Sequence, residues 1–253
     1  MFGAWTPLIA LVVTLLPLLW VKRWITQHLQ ELSYRWVHDA DVALILYFVV
    51  VLPGVVIHEL SHWLMAWALG IPVRKLSIGP QLKGRGQRVS LGSVRVGDVD
   101  PLRASLIGVA PLLGGSAVIL LIGYWVLGIG GLGEAFAGEG VAGLLAGLSQ
   151  VVQVADVGLW LYLVFAISNA MLPSESDMNA VWPVLIFLAI AALVLLFVTG
   201  VPVIPEQVAN VVNAIAGYLA SAFGLTLAVD AVFVLVIGLL LWATRSLQAR
   251  RIP

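Results

Sequence analysis

His58, Glu59 and His62 make an H-E-x-x-H motif in an otherwise apolar stretch of chain. On a helix the two histidines share one face about 6 Å apart along the axis, so both rings can bind a single metal ion. Glu59 then sits beside that ion, where it can serve as a general base towards water. Metal-assisted hydrolysis is the chemistry this spacing points to. Residues 42–69 are apolar apart from these three, Ser61 and a few breaks, and the run is long enough to cross a bilayer. Ionisable groups at that depth are costly, so their presence marks function.

Hydrophobic residues make up 61% of the 253-residue chain and charged residues 10%, and the mean hydropathy is +1.06. These values exclude an ordinary soluble domain and predict a polytopic membrane protein. A net charge of zero carries no bias towards nucleic acid, so the bilayer and not a nucleic acid is the expected surroundings. The absence of cysteine excludes disulfides and thiolate zinc sites, which leaves histidine and carboxylate ligands for a transition metal. Residues 1–20 lack a basic start and a small-residue cleavage site, so they are expected as a retained helix.

The elements that must position the motif are helical. Apolar runs predict six spans, at residues 4–21, 42–69, 102–127, 141–172, 181–198 and 228–243. Residues 22–41 mix charge with aromatics, which suits an interfacial helix, and residues 205–227 suit an interfacial or re-entrant segment. The expected fold is an all-α polytopic membrane protein, a single membrane-embedded domain over residues 1–253. It has about six transmembrane helices and a small β-rich cytoplasmic loop at residues 72–100.

Charge orients this bundle. Arg74, Lys75, Lys83, Arg85, Arg88, Arg95 and Arg103 lie in or beside that loop, and the tail adds Arg245, Arg250 and Arg251. Six spans put both regions on one side, which then holds ten of the 13 basic residues and is the cytoplasmic side. Both termini are then cytoplasmic, and His62 lies roughly 10 Å in from the cytoplasmic end of its helix. The glycine-rich loop alternates at Val89 to Leu91 and at Val94 to Val96, which predicts short strands or hairpins. It reads either as a basic anchor for the topology or as a sheet edge that can pair with an unwound substrate strand.

A catalytic zinc takes three protein ligands and keeps one position open, so the histidine pair needs a partner. Asp41, Asp156 and Asp230 fall towards the outer side, Asp156 about 24 Å of helix from the inner end. Asp177 follows a stretch in which Pro173 and several small polar residues break the helix on the cytoplasmic side. Non-helical backbone near membrane depth is tolerated where it lines a polar cavity. Asp177 is the candidate, with Glu175 its close competitor.

The His58–Glu59–His62 motif in a membrane helix, the basic loop, and Asn169, Pro173 and Asp177 downstream resemble the site-2 protease family of intramembrane zinc metalloproteases. Members have an Asn, a proline-rich stretch and an Asp eight positions after the Asn, the interval between Asn169 and Asp177. Gly108-Val109-Ala110-Pro111-Leu112 is similar to the small-residue and proline element of the family's third helix. The resemblance covers about residues 42–185. It implies that His58, His62 and Asp177 bind one zinc per chain, that Glu59 activates water, and that Asn169 places the substrate or stabilises its oxyanion. The substrate it implies is a membrane protein cut within or near its own transmembrane helix. Met178 stands where the family often has Gly, and Pro173 is four residues after Asn169 where three is commoner. No PDZ-like insertion and no C-terminal regulatory domain are expected, and the expected location is a prokaryotic plasma membrane.

Two other readings use the same residues. An integral zinc protease of another H-E-x-x-H type takes a glutamate as third ligand, for which Glu175 and Glu206 are the candidates. A metal transporter or a non-catalytic scaffold would hold the histidines in a helix bundle. A transporter spreads polar residues along several spans, whereas here they gather around one level.

Overall fold

The computed structural model describes residues 6–81, 90–97, 99–199 and 205–249. Helices dominate: α1 (Thr6–Val37), α2 (Ala40–Ala68), α3 (Pro101–Leu121), α4 (Leu132–Val152), α5 (Val157–Met171), α6 (Glu175–Thr199) and α7 (Glu206–Ala249). Two strands, β1 (Val73–Gln81) and β2 (Ser90–Val96), form a small sheet between α2 and α3. Among the described residues, α1, α2, the α3 region to Val126, and α7 are each long and apolar enough to cross a membrane. The bent pair Gly138–Val152 and Val157–Met171 makes a fifth if it counts as one span.

Several boundaries differ from those expected. Residues 22–37 are not a separate interfacial helix but continue the first span as one helix, and Pro17 does not break it. The break comes at His38, with a positive φ of 56°, and Asp39 then caps α2 by accepting the N–H groups of Asp41 and Val42. The expected segment at residues 205–227 is likewise no separate element. It runs into the sixth span as one helix of 44 residues, about 66 Å long. The fourth span, by contrast, is interrupted: α4 and α5 meet at 100°, and Asp156 takes a left-handed conformation at the joint.

α2 lies at the centre, in contact with α1, α3, α5 and both strands, while α1 packs along α7 and α3 against α6. Small residues set how closely these helices approach. A side chain at Gly54 would overlap the backbone carbonyl of Ala166, so α2 and α5 meet almost backbone to backbone. Gly108 does the same for α3 against the carbonyl of Asp177. The outer faces are apolar, with Trp125 82% and Phe197 92% exposed, a surface suited to lipid rather than water.

β1 and β2 pair antiparallel, with Ser77 opposite Ser93 and Ile78 opposite Gly92. The stretches Val89 to Leu91 and Val94 to Val96, expected as two strands, fall along β2 alone, with Val89 outside the described residues. The partner strand is β1, which the basic residues Arg74 and Lys75 open. Lys83, Arg85 and Arg88 lie outside the described residues.

Candidate metal centre

His58 and His62 sit one turn apart on α2, and their Nε2 atoms are 3.2 Å from each other. Asp177, in the first turn of α6, brings its Oδ1 to 3.2 Å from His62 Nε2 and its Oδ2 to 3.5 Å from His58 Nε2. A tetrahedral shell with bonds of 2.0–2.1 Å spaces its ligand atoms by about 3.3 Å. The three side chains are therefore grouped closely enough to hold one metal ion.

The other ring nitrogens decide which way the histidines face. His58 Nδ1 donates to the carbonyl of Ala170 at 2.7 Å, and His62 Nδ1 donates to that of Ile107 at 2.8 Å. A carbonyl only accepts, so both Nδ1 atoms carry hydrogen and both Nε2 atoms present a lone pair. Two lone pairs and a carboxylate then face a common point, an arrangement that a cation stabilises and that outer hydrogen bonds of this kind support.

Both carbonyls are free for the same reason: each has lost its helical donor. The donor to Ile107 would be the N–H of residue 111, which is Pro111. The donor to Ala170 would be the N–H of Ser174, which turns instead to Asp177 Oδ2 at 2.7 Å. Pro173 helps to cause that turn, because the residue before a proline avoids the helical region and Leu172 is extended, with ψ 138°.

Ser174 and Asp177 form a reciprocal cap at the start of α6. The Ser174 N–H and hydroxyl donate to Asp177 Oδ2, and the Asp177 N–H donates back to Ser174 Oγ at 3.3 Å. One carboxylate thus starts a helix and faces the histidines. Burial opposes its charge, while the Ser174 N–H and hydroxyl stabilise it.

Glu59 is 4% exposed and lies close enough to interact electrostatically with His58, His62 and Asp177. Its Oε2 is enclosed and has no hydrogen-bond partner among the described residues. An enclosed carboxylate oxygen without a partner is one that a water or substrate proton can satisfy. β2 lies directly over it, since a side chain at Gly92 would overlap the Glu59 carboxylate.

Asn169 is buried one residue before Ala170, but its Nδ2 donates to Phe165 of its own helix at 2.8 Å. That bond uses one of its two N–H groups, and Nδ2 also lies 3.5 Å from Ser168 Oγ. Its Oδ1, enclosed and without a partner among the described residues, is an acceptor. Glu175 and Glu206 open α6 and α7 and are outside the ligand group, as is Asp156, exposed at the α4–α5 joint. Asp230 is 1% exposed and bonded to Ser168, also apart from the group. Sequence reasoning missed Ile107, Ala170, Ser174 and Gly92. Two of them left a local signal: Pro111 marks its free carbonyl, and the Ser174–Asp177 spacing marks the cap.

No protein-family model matches the chain, and no curated protein or solved structure does.

Proposed function

We propose that this protein is an intramembrane zinc metalloprotease that cuts membrane proteins within or near their transmembrane segments. Six spans, with both termini and the β-hairpin on the cytoplasmic side, complete the reading. The observation that carries it is the facing of His58 Nε2, His62 Nε2 and the Asp177 carboxylate, with Glu59 enclosed beside them. Two histidines and one carboxylate are a donor set that zinc accepts, and the apolar helices suit a substrate that lies in the bilayer.

Zinc bound there would polarise a scissile carbonyl and acidify water. Glu59 takes the proton from that water at its unpartnered Oε2 and passes it to the leaving amine. The Ile107 and Ala170 carbonyls hold the two rings in the tautomer whose Nε2 lone pairs can take a metal. Asn169, with Oδ1 free, is suited to accept a substrate backbone N–H once the substrate enters. A transmembrane helix hides its carbonyls in its own hydrogen bonds, so it must unwind before attack, and β2 lies where an unwound strand could pair.

The test is zinc content together with cleavage of a model transmembrane substrate by the wild type and by Glu59→Gln. The expected result is one zinc per chain in both and cleavage only in the wild type. A zinc-free wild type, or full cleavage by Glu59→Gln, overturns the proposal.

A further inference from the structure

A second buried polar group joins α5 and α7 away from the ligand cluster. Asp230 of α7 is 1% exposed, and its Oδ1 lies 3.1 Å from the hydroxyl of Ser168 on α5, whose one hydrogen it shares with the Phe165 carbonyl at 2.8 Å. Lys22 of α1 is the cation that interacts electrostatically with it. Burying an acid and a base inside an apolar bundle is costly and calls for a role. The reaction proposed above uses neither.

The position of Ser168 supplies that role. It stands in the last turn of α5, two residues before Ala170, whose carbonyl fixes the His58 ring. On the α2 side this part of the helix rests on Gly54, and upstream in α5 the Tyr162 hydroxyl donates to the Val50 carbonyl of α2 at 3.0 Å. The bond to Asp230 is directional. A rotation of roughly 20° about the α5 axis would carry a carbonyl oxygen at the backbone radius by roughly 0.8 Å, enough to spoil a hydrogen bond to His58.

We propose that Asp230 is a positioning residue for the metal centre: through Ser168 it sets the rotation of the last turn of α5, and so the direction of the Ala170 carbonyl that holds His58. Lys22 helps to balance its charge. The inference rests on the metal-binding part of the reading above and not on proteolysis.

The experiment uses the full chain in detergent with Co²⁺ as the probe, whose visible spectrum reports ligand geometry. Ser168→Ala, a small change in a packed site, should weaken cobalt binding roughly tenfold and shift the spectrum. The double variant Lys22→Met with Asp230→Asn keeps an oxygen for the Ser168 hydroxyl and should bind as the wild type does. Lys22→Met with Asp230→Leu removes that oxygen and should match Ser168→Ala. Circular dichroism checks the fold of each, and if the double variants misfold, Ser168→Ala alone decides. Wild-type affinity and spectrum in Ser168→Ala overturn the proposal, as does an Asn pair as weak as the Leu pair. A wild type that binds no cobalt is a different result, since it removes the metal centre itself.

Discussion

His62 donates to the carbonyl of Ile107 across the α2–α3 interface at 2.8 Å, and it can do so because Pro111 has no N–H to claim that carbonyl first. A proline within a helix usually destabilises it, yet here the lost bond becomes the support of a metal ligand. Pro111→Ala should restore a competing helical donor. The expected outcome is zinc binding weaker by roughly 10- to 100-fold, the range for loss of an outer hydrogen bond to a ligand, with the metal-free protein at least as stable. Zinc competition titrations and thermal melts of the metal-free protein measure both. Unchanged zinc affinity would mean that His62 does not depend on the Ile107 carbonyl.

Asp177 has two tasks, and two substitutions separate them. Asp177→Asn keeps an oxygen for the Ser174 N–H, so the start of α6 should persist while the charge facing the histidines is lost. Zinc binding and cleavage should both fall, with the stability of the metal-free protein near that of the wild type. Asp177→Ala should lose the cap as well, at a further cost of about 0.5–2 kcal/mol in denaturant unfolding. An Asp177→Asn protein that retains stoichiometric zinc would remove Asp177 from the ligand set.

Gly92 lies against the Glu59 carboxylate, and no side chain fits between them. Gly92→Val should push β2 or Glu59 aside without touching His58, His62 or Asp177. Zinc content should stay at the wild-type level while cleavage drops about tenfold or more. Loss of zinc along with cleavage would show that the hairpin supports the ligands and not the base.

The proposed topology rests on the distribution of basic residues. The chain has no native cysteine, so single introduced cysteines label cleanly. Lys75→Cys in β1 and Ser246→Cys near the end of α7 should react from the cytoplasmic side, and Glu139→Cys in α4 from the opposite side. Lys75 and Glu139 reacting from one side would end the six-span arrangement.

The sequence alone determined what depends on neighbours within a few residues. Four-residue spacing puts His58 and His62 on one face of any helix they share, and apolar runs of twenty or more residues mark helices that suit a membrane. Helix ends were less legible. Residues 22–37 and 205–227 read as separate segments by polarity, yet they continue their neighbouring helices: no proline or glycine falls in 22–37, and Gly217 and Gly224 stay helical within α7. The joint at residues 153–156 left no such mark either.

Tertiary structure decided how the centre is completed. Asp177 reaches the histidines because Gly108 lets α3 lie against the start of α6, and the Ala170 carbonyl reaches His58 because Gly54 lets α5 close on α2. Those approaches depend on which helices pack together, and periodicity along one helix carries no information about its partner. The physical reason is one of range: hydrogen bonds within a helix link residues four apart, whereas the bonds that aim the two imidazoles join residues 45 and 112 positions apart.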